Sequence, residues 1–419
     1  VQMKYSKRIA LAAAVSAAVA APAAFATNGY FSHGYGVKSQ GMAGVGVALP
    51  QDALAAATNP AGMALVGKRL DFGIQLFSPN PRSQNSQGGS LSQGENKSDD
   101  DRFWVPEFGY NTMLDANSSL GVSIYGNGGM NTSYKTNTFA GLGAGSTPLG
   151  VNLAQLIIAP TYARKLNNNH AIGVSLLYGY QKFAAYGLEA FANNSSDSGN
   201  LTNRGDDTAT GWGARIGWTG NVSPNVTLGA VYSTKVNMSK FSKYKGLFAE
   251  QGDFDIPANY AVGVAVKANP KTIVAFDIQK IKYGDVKSIA NPLNAAPAGD
   301  TQLGRDNGAG FGWQDQTVYK LGVSYQYSTN LTLRAGWNHG DSPIPNSQLL
   351  FNIVAPAVVE DHLTLGATWQ TAKDQEVNFM YMHALENSQK GPVLTDFGGG
   401  TSELKMTQNA IALGFGWKF

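Results

Sequence analysis

The chain of 419 residues contains no cysteine, which excludes a disulfide scaffold, a Cys-ligated zinc site and a thiol nucleophile. Charge is scarce: Asp, Glu, Lys and Arg make up 14%, against roughly 25% in soluble domains. The net charge of +3 is too small for binding driven by phosphate neutralisation, so no nucleic-acid partner is expected. The five histidines, His33, His170, His339, His362 and His383, never fall in a metal spacing such as H-E-x-x-H, and no G-x-S-x-G elbow occurs. No metal, no cofactor and no enzymatic activity are therefore expected. Outside the first stretch no run of 18 apolar residues occurs, so no transmembrane helix is expected. What the chain has in plenty is glycine, 50 residues, and hydrophobic side chains, 43%, too many for a disordered chain.

The first stretch reads as an export signal. Lys4, Lys7 and Arg8 precede an Ala-rich apolar run, and Ala24-Phe25-Ala26 supplies the small-x-small pattern. Cleavage is expected between Ala26 and Thr27, with Met3 as the start. Residues 1–26 hold three of the 31 basic residues and none of the 28 acidic ones, so residues 27–419 balance at 28 of each.

Most of the remainder has a period of two. Ile411, Leu413, Phe415, Trp417 and Phe419 alternate with Ala410, Ala412, Gly414, Gly416 and Lys418, which in a strand places the two sets on opposite faces. Leu70–Leu76, Tyr260–Val266 and Tyr319–Tyr325 repeat the pattern. Short turns (Asp115–Ser118, Asn167–Asn169, Asn221–Asn225, Ala268–Lys271, Ser328–Asn330, Ala372–Asp374) alternate with long polar stretches at 80–102, 190–207, 290–312 and 341–359. Short turns at one end and long loops at the other mark an outer-membrane barrel, and a bilayer requires the sheet to close. The pattern predicts an all-β fold of fourteen antiparallel transmembrane strands, near 68–78, 103–114, 119–134, 152–166, 170–189, 208–220, 225–246, 257–267, 271–288, 313–327, 330–340, 360–371, 374–388 and 403–419. The aromatic end at Phe419 fits recognition by the barrel assembly machinery. Trp212, Trp218, Trp337, Trp369 and Trp417 are expected in interfacial girdles. Asp99–Asp101 and the Lys-rich stretch 235–245 are expected as loop or rim charges.

Residues 27–67 do not alternate. They are rich in Gly and Ala, yet carry Met42, Val45, Leu49, Leu54, Met63 and Leu65, too apolar for a loose tail. A plug folded into the lumen is expected, with a short helix over Asp52–Ala57 stopped by Asn59-Pro60. The domain reading is a secretory signal at 1–26, an N-terminal hatch at 27–67 and a transmembrane barrel at 68–419.

Three stretches carry a family resemblance: Thr27-Asn28-Gly29-Tyr30-Phe31 through Asn59-Pro60-Ala61, Gly121-Val122-Ser123-Ile124-Tyr125-Gly126-Asn127-Gly128-Gly129, and Leu331-Thr332-Leu333-Arg334-Ala335-Gly336-Trp337. In order, after a signal, they resemble the FadL-type outer-membrane transporters of hydrophobic compounds. The resemblance implies a fourteen-stranded barrel with an N-terminal hatch. It also implies ligand capture at extracellular loops and lateral exit through a gap at an inward kink of the third strand. Asn59, Pro60 and Ala61 match the hatch triplet that in the family lies against the kink. Gly129 best matches the kink glycine, with Gly128 the alternative. Independently, Gly126-Asn127-Gly128-Gly129 inside a strand is a credible bulge.

Alternation places Lys320 and Arg334 in the lumen, where a cation can pair with a fatty-acid carboxylate or with acids of the barrel or hatch, Asp52 among them. Tyr30, Phe31 and Tyr35 either line an apolar pocket or pack the plug. The expected partners are a hydrophobic small molecule (a fatty acid or an aromatic hydrocarbon), outer-membrane lipid and lipopolysaccharide, and the expected state is a monomer. The rival reading is a general diffusion porin.

Overall fold

A computed structural model describes residues 27–85 and 89–419; the expected signal and Ala26 of its cleavage site lie outside the described residues. Fourteen long strands form a ring of antiparallel neighbours. They are β1 (Arg69–Asn85), β2 (Phe103–Met113), β3 (Ser118–Asn131), β4 (Gly150–Lys165), β5 (His170–Tyr186), β6 (Asp207–Ser223) and β7 (Val226–Ser233). The second half comprises β8 (Asn259–Asn269), β9 (Thr272–Ile281), β10 (Gln316–Gln326), β11 (Leu331–His339), β12 (Asp361–Ala372), β13 (Gln375–Pro392) and β14 (Thr401–Lys418). The ring closes where β1 pairs with β14, from Arg69↔Lys418 to Asn85↔Ser402. Two short strands, Gly94–Lys97 and Asn237–Met238, lie on β1 and β6 outside the ring order. Closure leaves no unpaired edge at β1 or β14, as a lipid environment demands.

The two-residue period governs burial. In β14, Ile411, Leu413, Phe415 and Trp417 are exposed, whereas Ala410 and Ala412 are buried. Leu363, Leu365 and Trp369 on β12 and Tyr260 and Val262 on β8 are likewise exposed, giving the apolar outer band that faces lipid. Short turns join β2–β3, β4–β5, β6–β7, β8–β9, β10–β11 and β12–β13; long connections occupy the other end.

Three expectations about elements are corrected. The strand expected over 225–246 stops at Ser233, and the chain from there to Ala258 is a loop with Phe241, Tyr244 and Phe248 buried. Its apolar alternation serves a packed loop, not lipid. The strand expected over 271–288 ends at Ile281 and is followed by two short helical turns. The helix expected over Asp52–Ala57 is a single 3-10 turn, Ala55–Ala57, and a second 3-10 turn, Pro60–Ala64, begins after Asn59.

Residues from Asn28 to Ala64 are mostly buried and packed against inward-facing side chains of the ring. A segment this poor in large residues cannot build its own core, so its buried backbone groups need partners from elsewhere. Wall side chains supply them. The Glu107 carboxylate accepts the Gly36 and Val37 amides, both at 2.9 Å. Asp277 accepts Gly46 and Val47 at 2.8 and 3.1 Å, and Asp71 accepts Ala53 at 2.9 Å. Arg215 donates to the carbonyls of Ala56 and Ala57 at 2.9 and 2.6 Å. Asn111 donates to those of Met63 and Gly67 at 2.9 and 2.8 Å. The bonds to Glu107, Asp277, Asp71 and Arg215 are charge-assisted, worth about 1.5–3 kcal/mol each.

Candidate functional site

Among the described residues, the ladder between β2 and β3 stops short, leaving a seam. β3 pairs with β2 from Met113↔Ser119 to Phe108↔Ile124 and no further, although β2 begins at Phe103 and β3 continues to Asn131. The flanking ladders hold: β1 stays paired with β2 as far as Phe77↔Phe103, and β3 with β4 as far as Asn131↔Asn152. Beyond the seam the chain closes again, through a Ser98–Tyr134 bridge and a bond from the Asp99 amide to the Ser133 carbonyl at 2.8 Å. The result is a window bounded by Phe103–Glu107 on one side and Tyr125–Asn131 on the other.

The window exists because β3 bends inward. Its exposure alternates up to Val122, but every residue from Ser123 to Asn131 is buried. Val105, on the inner face of β2, touches Ala154, on the outer face of β4; the two meet because β3 has withdrawn from between them. The bend has a local cause. Register with β4 shifts between Gly126 and Gly128, leaving Asn127 as a bulged residue. The N-terminal segment then takes over the freed backbone. Gly129 N–H donates to the Tyr30 carbonyl and Ser32 N–H to the Asn127 carbonyl, both at 3.1 Å, and Phe31 bridges Gly128. A Cβ on Gly128 would collide with the Tyr30 carbonyl, so glycine permits this approach.

The triplet Asn59-Pro60-Ala61 lies elsewhere. Asn59 donates to the carbonyls of Val47 and Trp218 at 2.7 and 2.9 Å and caps Ala61 N–H at 3.1 Å. A Cβ on Gly173 of β5 would strike Pro60, and one on Gly217 of β6 would strike Asn59. β5 and β6 hold the triplet, while Tyr30–Ser32 and Tyr35 meet the bulge. Residues 53–67 meet β3 below the bulge, where Ser123 Oγ donates to the Ala53 carbonyl at 2.7 Å.

Tyr30 and Phe31 pack with Tyr283 and Trp313; the Tyr30 and Tyr283 rings are 5.3 Å apart. The Tyr283 hydroxyl donates to the Asn28 carbonyl at 2.5 Å and accepts the Tyr30 amide at 3.2 Å. Tyr35 donates to Asn127, to its carbonyl at 3.2 Å and its Oδ1 at 3.3 Å.

Two cavities adjoin these elements. The outer one lies among the long loops and is lined by Phe139, Phe183, Phe191, Phe248, Phe311 and Phe351 with aliphatic neighbours. Its one polar side chain, Ser288, spends its hydroxyl on the Asp253 carbonyl at 2.5 Å. The inner one lies beside the N-terminal segment and is lined by Phe31, Tyr35, Arg215, Asp277 and Lys320 among others. Lys320 donates to the His33 carbonyl at 3.0 Å. Arg334 is not brought to this cavity; it donates to Gln51 at 3.1 Å and to Thr368 at 2.6 Å. Sequence reading passed over Glu107, Asp277 and Arg215. The available signal was a lone charge at an inward position of an alternating strand.

Residues 13–419 match the family described as outer membrane protein transport protein (OMPP1/FadL/TodX). A long-chain fatty acid transport protein of Escherichia coli O6:H1 is 22% identical over 67% of this chain and 69% of its own length. Among solved structures, the toluene transporter TodX of Pseudomonas putida superposes with a TM-score of 0.70 at 22% identity, over 94% of this chain and 100% of its own. A FadL homologue of Pseudomonas aeruginosa gives a TM-score of 0.70 at 16% identity, over 93% and 100%. Those likenesses carry the fold; the family match carries membership. With its closed fourteen-stranded barrel, the chain belongs to the FadL/TodX family of outer-membrane transport channels for hydrophobic compounds, which are not enzymes.

Proposed function

We propose that this protein takes up hydrophobic small molecules by lateral diffusion, long-chain fatty acids first and aromatic hydrocarbons second. The observation that carries the reading is the window: a wall strand leaves its β2 ladder at Ile124 and bends inward while both outer ladders persist. An apolar molecule is captured in the phenyl-lined cavity among the loops, passes inward along the N-terminal segment, and leaves sideways into lipid between β2 and β3. The inner cavity, with Arg215 and Lys320 on its wall, suits a carboxylate; the outer one suits the apolar tail or a neutral hydrocarbon. Residues 27–67 serve as the hatch, residues 1–26 as the export signal and 68–419 as the barrel. The protein works as a monomer in lipid and lipopolysaccharide after insertion by the barrel assembly machinery.

The test is Gly129→Val together with Gly128→Val, which forces Tyr30 away and favours a straight β3. Uptake is expected to fall to background while the heat-modifiable gel shift of a folded barrel persists. Unchanged uptake in the folded double variant would sink the lateral route. The porin reading predicts a large, stable conductance in planar bilayers; silence is expected, because residues 28–64 pack against the inner wall.

A further inference from the structure

Three buried side-chain amides run head to tail from the bulge to a loop. Asn127 Nδ2 donates to Gln155 Oε1 at 2.9 Å. Gln155 Nε2 donates to Gln181 Oε1 at 3.1 Å. Gln181 Nε2 donates to the Phe254 carbonyl at 2.8 Å. Gln155 and Gln181 face each other across β4 and β5, and all three amides are almost wholly buried. An amide offers an acceptor on one side and donors on the other, so a chain with every donor pointing the same way has a direction.

Both ends of this chain sit on parts of the proposed route. At one end is Asn127, the residue whose bulge removes β3 from β2. At the other is Phe254, whose ring lies 4.8 Å from that of Phe248, and Phe248 lines the outer cavity. Straightening β3 would recover ladder bonds with Phe103–Glu107, so something must hold it inward. The N-terminal segment contributes Ser32 and Tyr35; Gln155 contributes the partner for the Asn127 amide. Three apolar side chains of similar volume would fill the same space without the cost of burying amides.

We propose that Gln155 and Gln181 are positioning residues that couple the phenyl-lined loop cavity to the window, by tying the loop backbone at Phe254 to the bulged Asn127. This rests on the lateral-exit reading. A ligand that shifts Phe248 and Phe254 alters the hold on Asn127 and hence the width of the window. Coupling of this kind needs a contiguous network whose ends both sites bias.

The experiment uses the full barrel, the apolar fluorophore N-phenyl-1-naphthylamine, and the variants Gln155→Met, Gln181→Met and both together. Equilibrium binding to purified protein and transfer from protein to liposomes are read separately. Binding is expected to stay within about twofold while transfer slows about tenfold, the size of an ordinary coupling. The double variant is expected to be no slower than either single one, because one relay is broken once. Wild-type transfer in both single variants, or slowing that multiplies in the double, overturns the relay. Should Gln155→Met fail to assemble, Gln181→Met, one strand further from the window, carries the same test. The Gly128→Val/Gly129→Val barrel separates the two ideas. If it transfers normally, the lateral exit itself fails; if it is silent while the glutamine variants are normal, only the relay fails.

Discussion

Glu376 sits where two cations of different origin meet. Its carboxylate pairs with Lys38 of the N-terminal segment and, at 2.7 Å, with Arg69 of β1; Arg69 also pairs with Asp71 at 2.6 Å. All are buried, so removing the shared acid leaves a buried ammonium without its counter-charge, a loss of about 3–5 kcal/mol. Glu376→Ala is therefore expected to lower the temperature at which the barrel loses its heat-modifiable gel shift; an unchanged midpoint would show that Lys38 finds another partner. At this scale little of the site could be read in advance. Alternation points Lys320 and Arg334 inward, but their partners, the His33 carbonyl and Gln51, depend on a segment some 300 residues away in sequence. Period-two patterning says which way a side chain points and nothing about what lies opposite.

Two elements mark the limits of the pattern. β3 reads as an ordinary glycine-bearing strand, and the four residues from Gly126 announce a bulge, but where its ladder with β2 ends is set by tertiary contacts from Tyr30–Ser32. The loop between β7 and β8 reads as a strand because Val236, Met238, Phe241 and Tyr244 are apolar and spaced; its lysines at 235, 240, 243 and 245 were the contrary signal. That loop also carries a titration. Burial, then Asp255 and Glu250, push the Asp253 carboxyl up from its ordinary 3.8 to about 6. A carboxyl raised in the folded state penalises the loop once ionised, so the penalty is absent below the ordinary value, grows as pH rises to about 6 and is complete above it. Asp253→Asn is expected to slow amide exchange in the loop at about pH 7.5, with the advantage fading by about pH 4. An advantage that grows on acidification would contradict this.

The whole molecule is a barrel against whose inner wall its own N-terminal segment packs. The strand count, closure and apolar outer face followed from alternation, the turn rhythm and the rule that a bilayer allows no open edge. Nothing in that patterning located the window, since a window is an absence of pairing between two strands that both look regular. Because the chain has no cysteine, the window can be blocked at a single introduced thiol. Ala154→Cys on β4, at the outer lip beside Val105, would be coupled to pyrenyl maleimide in assembled barrels and uptake of an apolar ligand measured. The same label on Leu363→Cys, exposed on β12, serves as control. Loss of uptake with the label at 154 and normal uptake with it at 363 is the expected result; normal uptake with the window blocked would contradict lateral exit through it.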